Sequence, residues 1–247
     1  MTKEHKIYLT GDLHGYLGMR KLISFAKAEG KNLTKDDYLI ILGDFGLIFN
    51  APVQSPDEAC NLEWLDKKAP WTTLFLDGNH ENFDRLDNYV IYPLQVFHGG
   101  QVSKINNSVY HLLRGESYSI NDILFLVIGG AGSIDKERRT RHVSWWPQEE
   151  ISHEQIKMVL KFYRNMSFDY ILTHSAPTSY VDDLYLNNLL YPGPRYNDRS
   201  EKRLEKVKKN IGYKKWFCGH YHCEYDSPKF QVLYNNIIEL PSPDSFY

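Results

Sequence analysis

Residues 6–15 read KIYLTGDLHG, an apolar run that leads directly into a glycine, an aspartate and a histidine. Five largely apolar residues are typical of a buried strand, and the Gly-Asp pair marks its end. The pattern recurs at residues 38–44, YLIILGD, and at residues 72–81, TTLFLDGNHE. Segments with helical spacing at 18–29 and 56–68 separate these three strands. Alternation of apolar strands with helices predicts a buried, largely parallel sheet.

Further apolar runs extend this pattern toward the end of the chain. Several short strand-like runs lie within residues 94–128, and further strands are predicted at 169–173 and 215–218. A capping box, S-x-x-Q at Ser152, predicts the start of a helix between residues 128 and 169. These runs predict an α/β fold with two sheets flanked by helices. The length of 247 residues fits a single domain over residues 1–247.

Composition narrows the class of protein. Lys and Arg total 29 against 31 Asp and Glu, a net charge of −2, which argues against a globally basic nucleic-acid binder. Three cysteines cannot build a disulfide framework, so a reducing compartment is expected. The first ten residues lack the apolar core of a signal peptide, and no apolar run reaches the ~20 residues that span a bilayer. We therefore expect a cytoplasmic protein without a membrane partner.

Side chains that commonly bind metals follow the predicted strands. They are Asp12, His14, Asp44, Asn79, His80, His174, His220 and His222. One such residue after a strand is usually a turn or cap residue, but five strand ends of this kind favour a shared site at the carboxyl edge of the sheet. The i, i+2 pairs Asp12/His14 and His220/His222 direct two side chains to one side. Mixed nitrogen and oxygen ligands suit Mn, Fe, Zn, Ni or Co.

The motifs GDLHG (11–15), GD (43–44), GNHE (78–81), TH (173–174) and GHYH (219–222) occur in this order. Together they resemble the motifs of the calcineurin-like metallophosphoesterases. That resemblance implies a two-sheet β-sandwich flanked by helices, with a binuclear metal centre at the carboxyl ends of its strands. It implies that one cation is held by Asp12, His14 and His222. It implies that the other is held by Asn79, His174 and His220, with Asp44 bridging and His80 as the catalytic imidazole.

The implied activity is metal-dependent hydrolysis of a phosphoester by a hydroxide shared between two divalent cations. Mn is the expected metal, with Fe, Zn, Ni, Co or Mg as alternatives. His80 would protonate the leaving group or stabilise the transition state. The expected substrate is a small phosphodiester or phosphomonoester, which could be nucleotide-like. A nuclease acting on polymeric nucleic acid and an inactive binding scaffold remain alternatives, but the complete ligand set favours an enzyme.

The sequence departs from the family at residues 43–48, GDFGLI. Many members carry an acid and a phosphate-binding arginine where this chain has Leu47 and Ile48. Without that bidentate grip on a dianion, a diester is the favoured substrate. The basic run 136–142 offers Arg139 as a substrate contact, although such runs are usually solvated. The glycine-rich residues 129–133 lack a P-loop ending, and are either a flexible turn or a loop that borders the metal centre.

Overall fold

The computed structural model describes residues 5–190 and 198–246. Its first sheet is built from seven strands: β1 (Ile7–Thr10), β2 (Tyr38–Leu42), β3 (Thr72–Leu76), β4 (Leu94–Phe97), β5 (Gly100–Lys104), β6 (Val109–Leu112) and β13 (Ile237–Glu239). Six strands form the second sheet: β7 (Ser117–Ile120), β8 (Ile123–Ile128), β9 (Ser167–Thr173), β10 (Gly212–Cys218), β11 (Tyr225–Asp226) and β12 (Phe230–Val232). The predicted two-sheet α/β fold is confirmed.

The centre of each sheet is parallel. The first sheet has the order β13-β1-β2-β3-β6-β5-β4, in which β1, β2, β3 and β6 run in one direction. The second has the order β11-β12-β10-β9-β8-β7, with β8, β9, β10 and β12 parallel. In register, Leu9 lies opposite Ile40, and Ile40 opposite Leu74. The carboxyl ends of these central strands therefore meet at one edge of each sheet.

Within residues 5–190 and 198–246, six α-helices accompany the sheets: α1 (Met19–Glu29), α2 (Pro56–Lys67), α3 (Phe83–Leu86), α4 (His153–Tyr163), α5 (Thr178–Leu186) and α6 (Arg199–Lys208). The capping boxes Ser55/Glu58 and Ser152/Gln155 begin α2 and α4, and the second is the one predicted from sequence. Among the described residues, no helix combines the length and the apolar character that a membrane crossing requires.

Both faces of the central strands are buried. On β2, Ile40 and Leu42 pack into the core between the sheets, where they join Phe125 and Leu172 of the second sheet. The alternate residues of β2 face α1 and α2 in a separate cluster. A third cluster packs α4, α5 and α6 against the outer face of the second sheet. Burial on both faces explains why the strands read as continuous apolar runs rather than alternating ones.

Candidate metal centre

Every predicted metal ligand, and the predicted catalytic residue His80, lies just beyond the carboxyl end of a central strand. The first sheet supplies Asp12 and His14 after β1, Asp44 after β2, and Asn79 and His80 after β3. The second sheet supplies His174 after β9, and His220 and His222 after β10. The two sheets thus contribute to one cluster at the edge of the sandwich.

One group of four side chains converges within 4.8 Å: Asp12, His14, Asp44 and His222. The Nε2 atoms of His14 and His222 lie 3.0 Å apart. The Nε2 atom of His14 is 3.7 Å from Oδ2 of both Asp12 and Asp44. The Nε2 atom of His222 is 2.9 Å from Asp12 Oδ2. Facing imidazole nitrogens and carboxylate oxygens at this spacing could share one cation.

A second group forms on the other side of Asp44. His174 Nε2 lies 3.2 Å from Asp44 Oδ1 and 3.2 Å from Asn79 Oδ1. Its Nδ1 donates to the carbonyl oxygen of Leu42 at 2.8 Å, which leaves Nε2 free to act as a ligand. The ring of His220 lies 4.9 Å from that of His174. Asp44 therefore faces one group with each of its carboxylate oxygens.

The donor set fits divalent cations. Within the described chain, Asp12 Oδ2 is buried and makes no hydrogen bond of good geometry, although two imidazole nitrogens lie close to it. Across the two groups the donors are carboxylate oxygens, an amide oxygen and imidazole nitrogens. This mixture suits borderline transition metals better than calcium.

Charge in the metal-free cluster is concentrated on a few groups. Burial alone would lower the pKa of His174, but the carboxylates of Asp44 and Asp12 outweigh it and raise the pKa to about 10. Burial opposes ionisation of Asp44, yet the nearby imidazoles hold its pKa well below the usual range. Burial and the positive charge of His174 lower the pKa of His220 to about 3. The metal-free cluster therefore holds two ionised carboxylates, a protonated His174 and a neutral His220, and a cation bound by His174 would take the place of its proton.

Tight backbone turns bring the ligands together. His14, Asp44, His220 and His222 all have left-handed φ values, between 47° and 70°. Such conformations cost free energy in residues other than glycine and cluster at functional sites. Close approach also requires a glycine at position 78, where a Cβ would lie 2.2 Å from Asp44 Oδ1. The glycine in GNHE is thus required because a side chain would clash with Asp44, as well as for the turn.

His80 sits beside the cluster. Its ring centroid is 5.1 Å from that of His14. Its Nε2 lies 3.2 Å from Nη2 of Arg139. Because a guanidinium can only donate, Nε2 is the acceptor in this hydrogen bond. Burial, reinforced by the Arg139 charge and opposed by Asp44, lowers the pKa of His80. The imidazole is neutral in this arrangement.

Arg139 is the arginine that contacts His80, although it lies outside the second motif, residues 43–48. Leu47 and Ile48 are buried in the hydrophobic core, so these two positions contribute no charged group to the cluster. Arg139 comes instead from the segment after β8 and is anchored to Asp135 at 2.8 Å. In the part of the chain that the structure describes, its Nη1 is buried without a hydrogen-bond partner. The structure thus brings Arg139 next to His80.

Sequence reasoning missed three buried polar residues around the cluster. Glu81 accepts hydrogen bonds from the backbone of Phe45 at 2.7 Å and of Gly78 at 3.1 Å, which ties together the loops after β2 and β3. Its place in GNHE was the available signal. The other two, Ser133 and Glu149, form a hydrogen-bonded chain with Asn79.

Ser133 ends the glycine-rich loop of residues 129–133. The loop is buried throughout, and its backbone donates from Gly130 to the Asp77 carbonyl at 2.8 Å and from Gly132 to Asp198 Oδ2 at 3.1 Å. These contacts favour the interpretation that the loop borders the metal centre over that of a flexible turn.

Two comparisons with known proteins bear on this geometry. The family model for calcineurin-like phosphoesterases matches residues 5–224. The chain is also similar to the lariat debranching enzyme of Entamoeba histolytica, with 27% identity over 241 residues. That alignment covers 89% of this chain and 64% of the debranching enzyme.

Proposed function

The chain belongs to the calcineurin-like phosphoesterase family, whose members are binuclear metal-dependent phosphoric ester hydrolases, and we propose that it hydrolyses a small phosphodiester. The observation that carries this proposal is the position of Asp44. One carboxylate oxygen faces His14 and the other faces His174, as a ligand shared by two cations would. We propose that Asp12, His14 and His222 hold one cation, and that Asn79, His174 and His220 hold the other.

Manganese is the metal that we propose. Two cations so held would supply an activated water and would neutralise charge on the phosphoryl oxygens. The proposed ligand set of four imidazoles, two carboxylates and one amide supports a borderline metal over calcium. Iron, zinc, nickel, cobalt and magnesium are the alternatives to be compared with it.

Arg139 is proposed to bind a non-bridging phosphoryl oxygen through its free Nη1. A single guanidinium contact matches the single negative charge of a diester better than the dianion of a monoester, for which a bidentate grip is the usual solution. When Arg139 turns toward phosphate, His80 Nε2 is released from its hydrogen bond. His80 Nε2 can then take up a proton from solvent and pass it to the leaving oxygen.

A nuclease acting on polymeric nucleic acid is the second candidate. The similarity to a lariat debranching enzyme supports it, although the chain spans only 64% of that relative's length. The net charge of −2 gives no support for long phosphate-tracking contacts. A nuclease should lose activity steeply with added salt, whereas hydrolysis of a small diester should not.

We also propose a domain organisation and a cellular location. Because the ligands come from both sheets, residues 1–247 are proposed to act as one domain. The three cysteines, Cys60, Cys218 and Cys223, are free thiols, which supports a cytoplasmic location.

A substrate panel tests the proposed activity. The rates on p-nitrophenyl phosphate, bis-p-nitrophenyl phosphate and a labelled oligonucleotide are compared in Mn, Ni, Mg and Zn, with Asp44→Ala as the inactive control. We expect the chromogenic diester to be hydrolysed fastest, with Mn most effective. A much faster monoester reaction would refute the diester preference. Preferred, salt-sensitive cleavage of the oligonucleotide would establish the nuclease instead.

A further inference from the structure

A buried chain of hydrogen bonds leads away from the proposed metal ligand Asn79. Asn79 Nδ2 donates to Ser133 Oγ at 3.0 Å. Ser133 Oγ donates in turn to Glu149 Oε2 in a short hydrogen bond. The other oxygen, Glu149 Oε1, accepts from the backbone nitrogen of Trp146 at 3.1 Å. The residues Asn79, Ser133 and Glu149 are 4%, 2% and 0% exposed. Nothing in the proposed reaction uses Ser133 or Glu149.

The chain matters because a side-chain amide has two ends of similar shape and opposite chemistry. Only the oxygen can bind a cation, since the amide nitrogen offers donors and no lone pair. In the structure Asn79 Oδ1 points to His174 Nε2 at 3.2 Å, and Nδ2 points to Ser133. A flipped amide would present its nitrogen to the cation.

Glu149 determines which end of the Asn79 amide can form a hydrogen bond with Ser133. At pH 8, the pH of the test below, the ionised carboxylate takes the single hydroxyl hydrogen of Ser133, so only lone pairs of Oγ remain for Asn79. Those lone pairs accept a hydrogen bond from Nδ2, whereas they would repel Oδ1. The serine itself is anchored, because the backbone of Ala131 donates to the Glu149 carbonyl at 3.0 Å and that of Gly132 to Asp198.

We propose that Ser133 and Glu149 are positioning residues that fix the amide of Asn79 with its oxygen toward the second cation. This inference rests on the proposed binuclear centre and adds two residues to it. It differs from a packing role, in which the same residues would only stabilise the loop of residues 129–133.

Cation affinity measured by competition with a chelator at pH 8 tests the proposal. For Ser133→Ala we expect the first Mn to bind as in the wild type and the second to bind about 10–100-fold more weakly, the usual cost of losing such a supporting contact. Glu149→Gln should weaken the same cation. Ser103→Ala is the matched control, because Ser103 is a buried serine that contacts His111, outside the Asn79 chain. It should bind both cations normally.

The Asn79→Asp background separates positioning from packing. A carboxylate has two equivalent oxygens, so its orientation no longer matters. In that background, adding Ser133→Ala should change the affinity for the second cation less than threefold. An equal loss in both backgrounds, or no loss from Ser133→Ala alone, would overturn the proposal. A wild-type protein that binds at most one cation would instead contradict the binuclear centre itself.

Discussion

His80 faces the cluster, but unlike its neighbour Asn79 it is not one of the proposed metal ligands. Asn79 directs its amide oxygen toward His174, while the next side chain turns to Arg139. The backbone nitrogens of both Asn79 and His80 donate to Asp44 Oδ1, at 2.8 and 2.9 Å. One carboxylate therefore fixes the turn that separates the proposed ligand from the proposed catalytic residue.

Replacement of His80 tests that division. His80→Ala should retain two cations and the fold, but lower turnover by roughly 10²–10⁴-fold, the scale of a lost general acid. The loss should be small for p-nitrophenolate, which departs without a proton, and large for an alkyl leaving group. Metal analysis and rates on both ester types check this. Loss of a cation would make His80 a ligand, and an unchanged rate on alkyl esters would remove its catalytic role.

The role of Arg139 is tested separately. Arg139→Ala should lower kcat/KM by roughly 10–100-fold, because a hydrogen bond to a charged group contributes ~1.5–3 kcal/mol. Arg139→Lys should recover part of this loss, as a point charge without the planar fork. Arg138→Ala, in an exposed neighbour, is the control and should retain the wild-type rate. Equal rates for Arg139→Ala and Arg138→Ala would show that Arg139 does not contact substrate.

Glu149 gives the metal-free protein a defined pH dependence. Burial raises its pKa from 4.5 to about 7, despite the hydrogen bond from Ser133. The folded state thus holds the proton more tightly than the unfolded state, and stability falls as pH rises from about 4.5 to 7. Glu149→Gln cannot ionise, so it should not lose this stability. Its unfolding free energy should therefore rise relative to that of the wild type as the pH increases across this window. The gain is at most about 3 kcal/mol, at ~1.4 kcal/mol per pKa unit.

Denaturant unfolding of both proteins at several pH values, with metal removed, measures this difference. Parallel stability curves between pH 4.5 and 7 would mean that the proton of Glu149 is bound equally well in the unfolded chain.

At the scale of elements, the strand ends set how closely the ligands approach. Gly78→Ala would place a Cβ 2.2 Å from Asp44 Oδ1 and 2.4 Å from its backbone nitrogen. Relief of that overlap must move the loop after β2 or β3. We expect both cations to bind at least tenfold more weakly, and a stability loss of ~1–3 kcal/mol, as for other overpacked sites. Gly30→Ala, where the nearest atom is 3.2 Å away, is the control.

Metal titration and thermal unfolding of the two glycine variants give the result. Normal metal binding by Gly78→Ala would show that the loops tolerate a wider separation than the structure has.

Elements were predictable where their signals are local. β2 and β3 begin and end as expected from their apolar runs, and α4 begins at its capping box. α5 gave no such signal, because Pro177 caps it without a side-chain hydrogen bond and its two tyrosines and its valine are typical of strands. β5 was equally hidden, since Val102 is its only large apolar residue.

At the scale of the whole molecule, the sandwich assembles what no single segment contains. The resemblance supplied the ligand set, but the departure at Leu47 and Ile48 left the partner of His80 undefined. That partner, Arg139, lies 59 residues away along the chain and follows a strand of the other sheet. The Asn79–Ser133–Glu149 chain likewise joins three distant segments. Such contacts depend on how the two sheets pack, which local patterns do not specify.

The central claim is that two cations sharing Asp44 are required for phosphoester hydrolysis. The direct measurement loads metal-free protein with increasing Mn, and records bound metal and hydrolysis of bis-p-nitrophenyl phosphate in the same samples. The rate should rise to a plateau at two bound cations per chain, and Asp44→Ala should bind neither cation and remain inactive. A full rate at one bound cation, or in Asp44→Ala, would contradict the account.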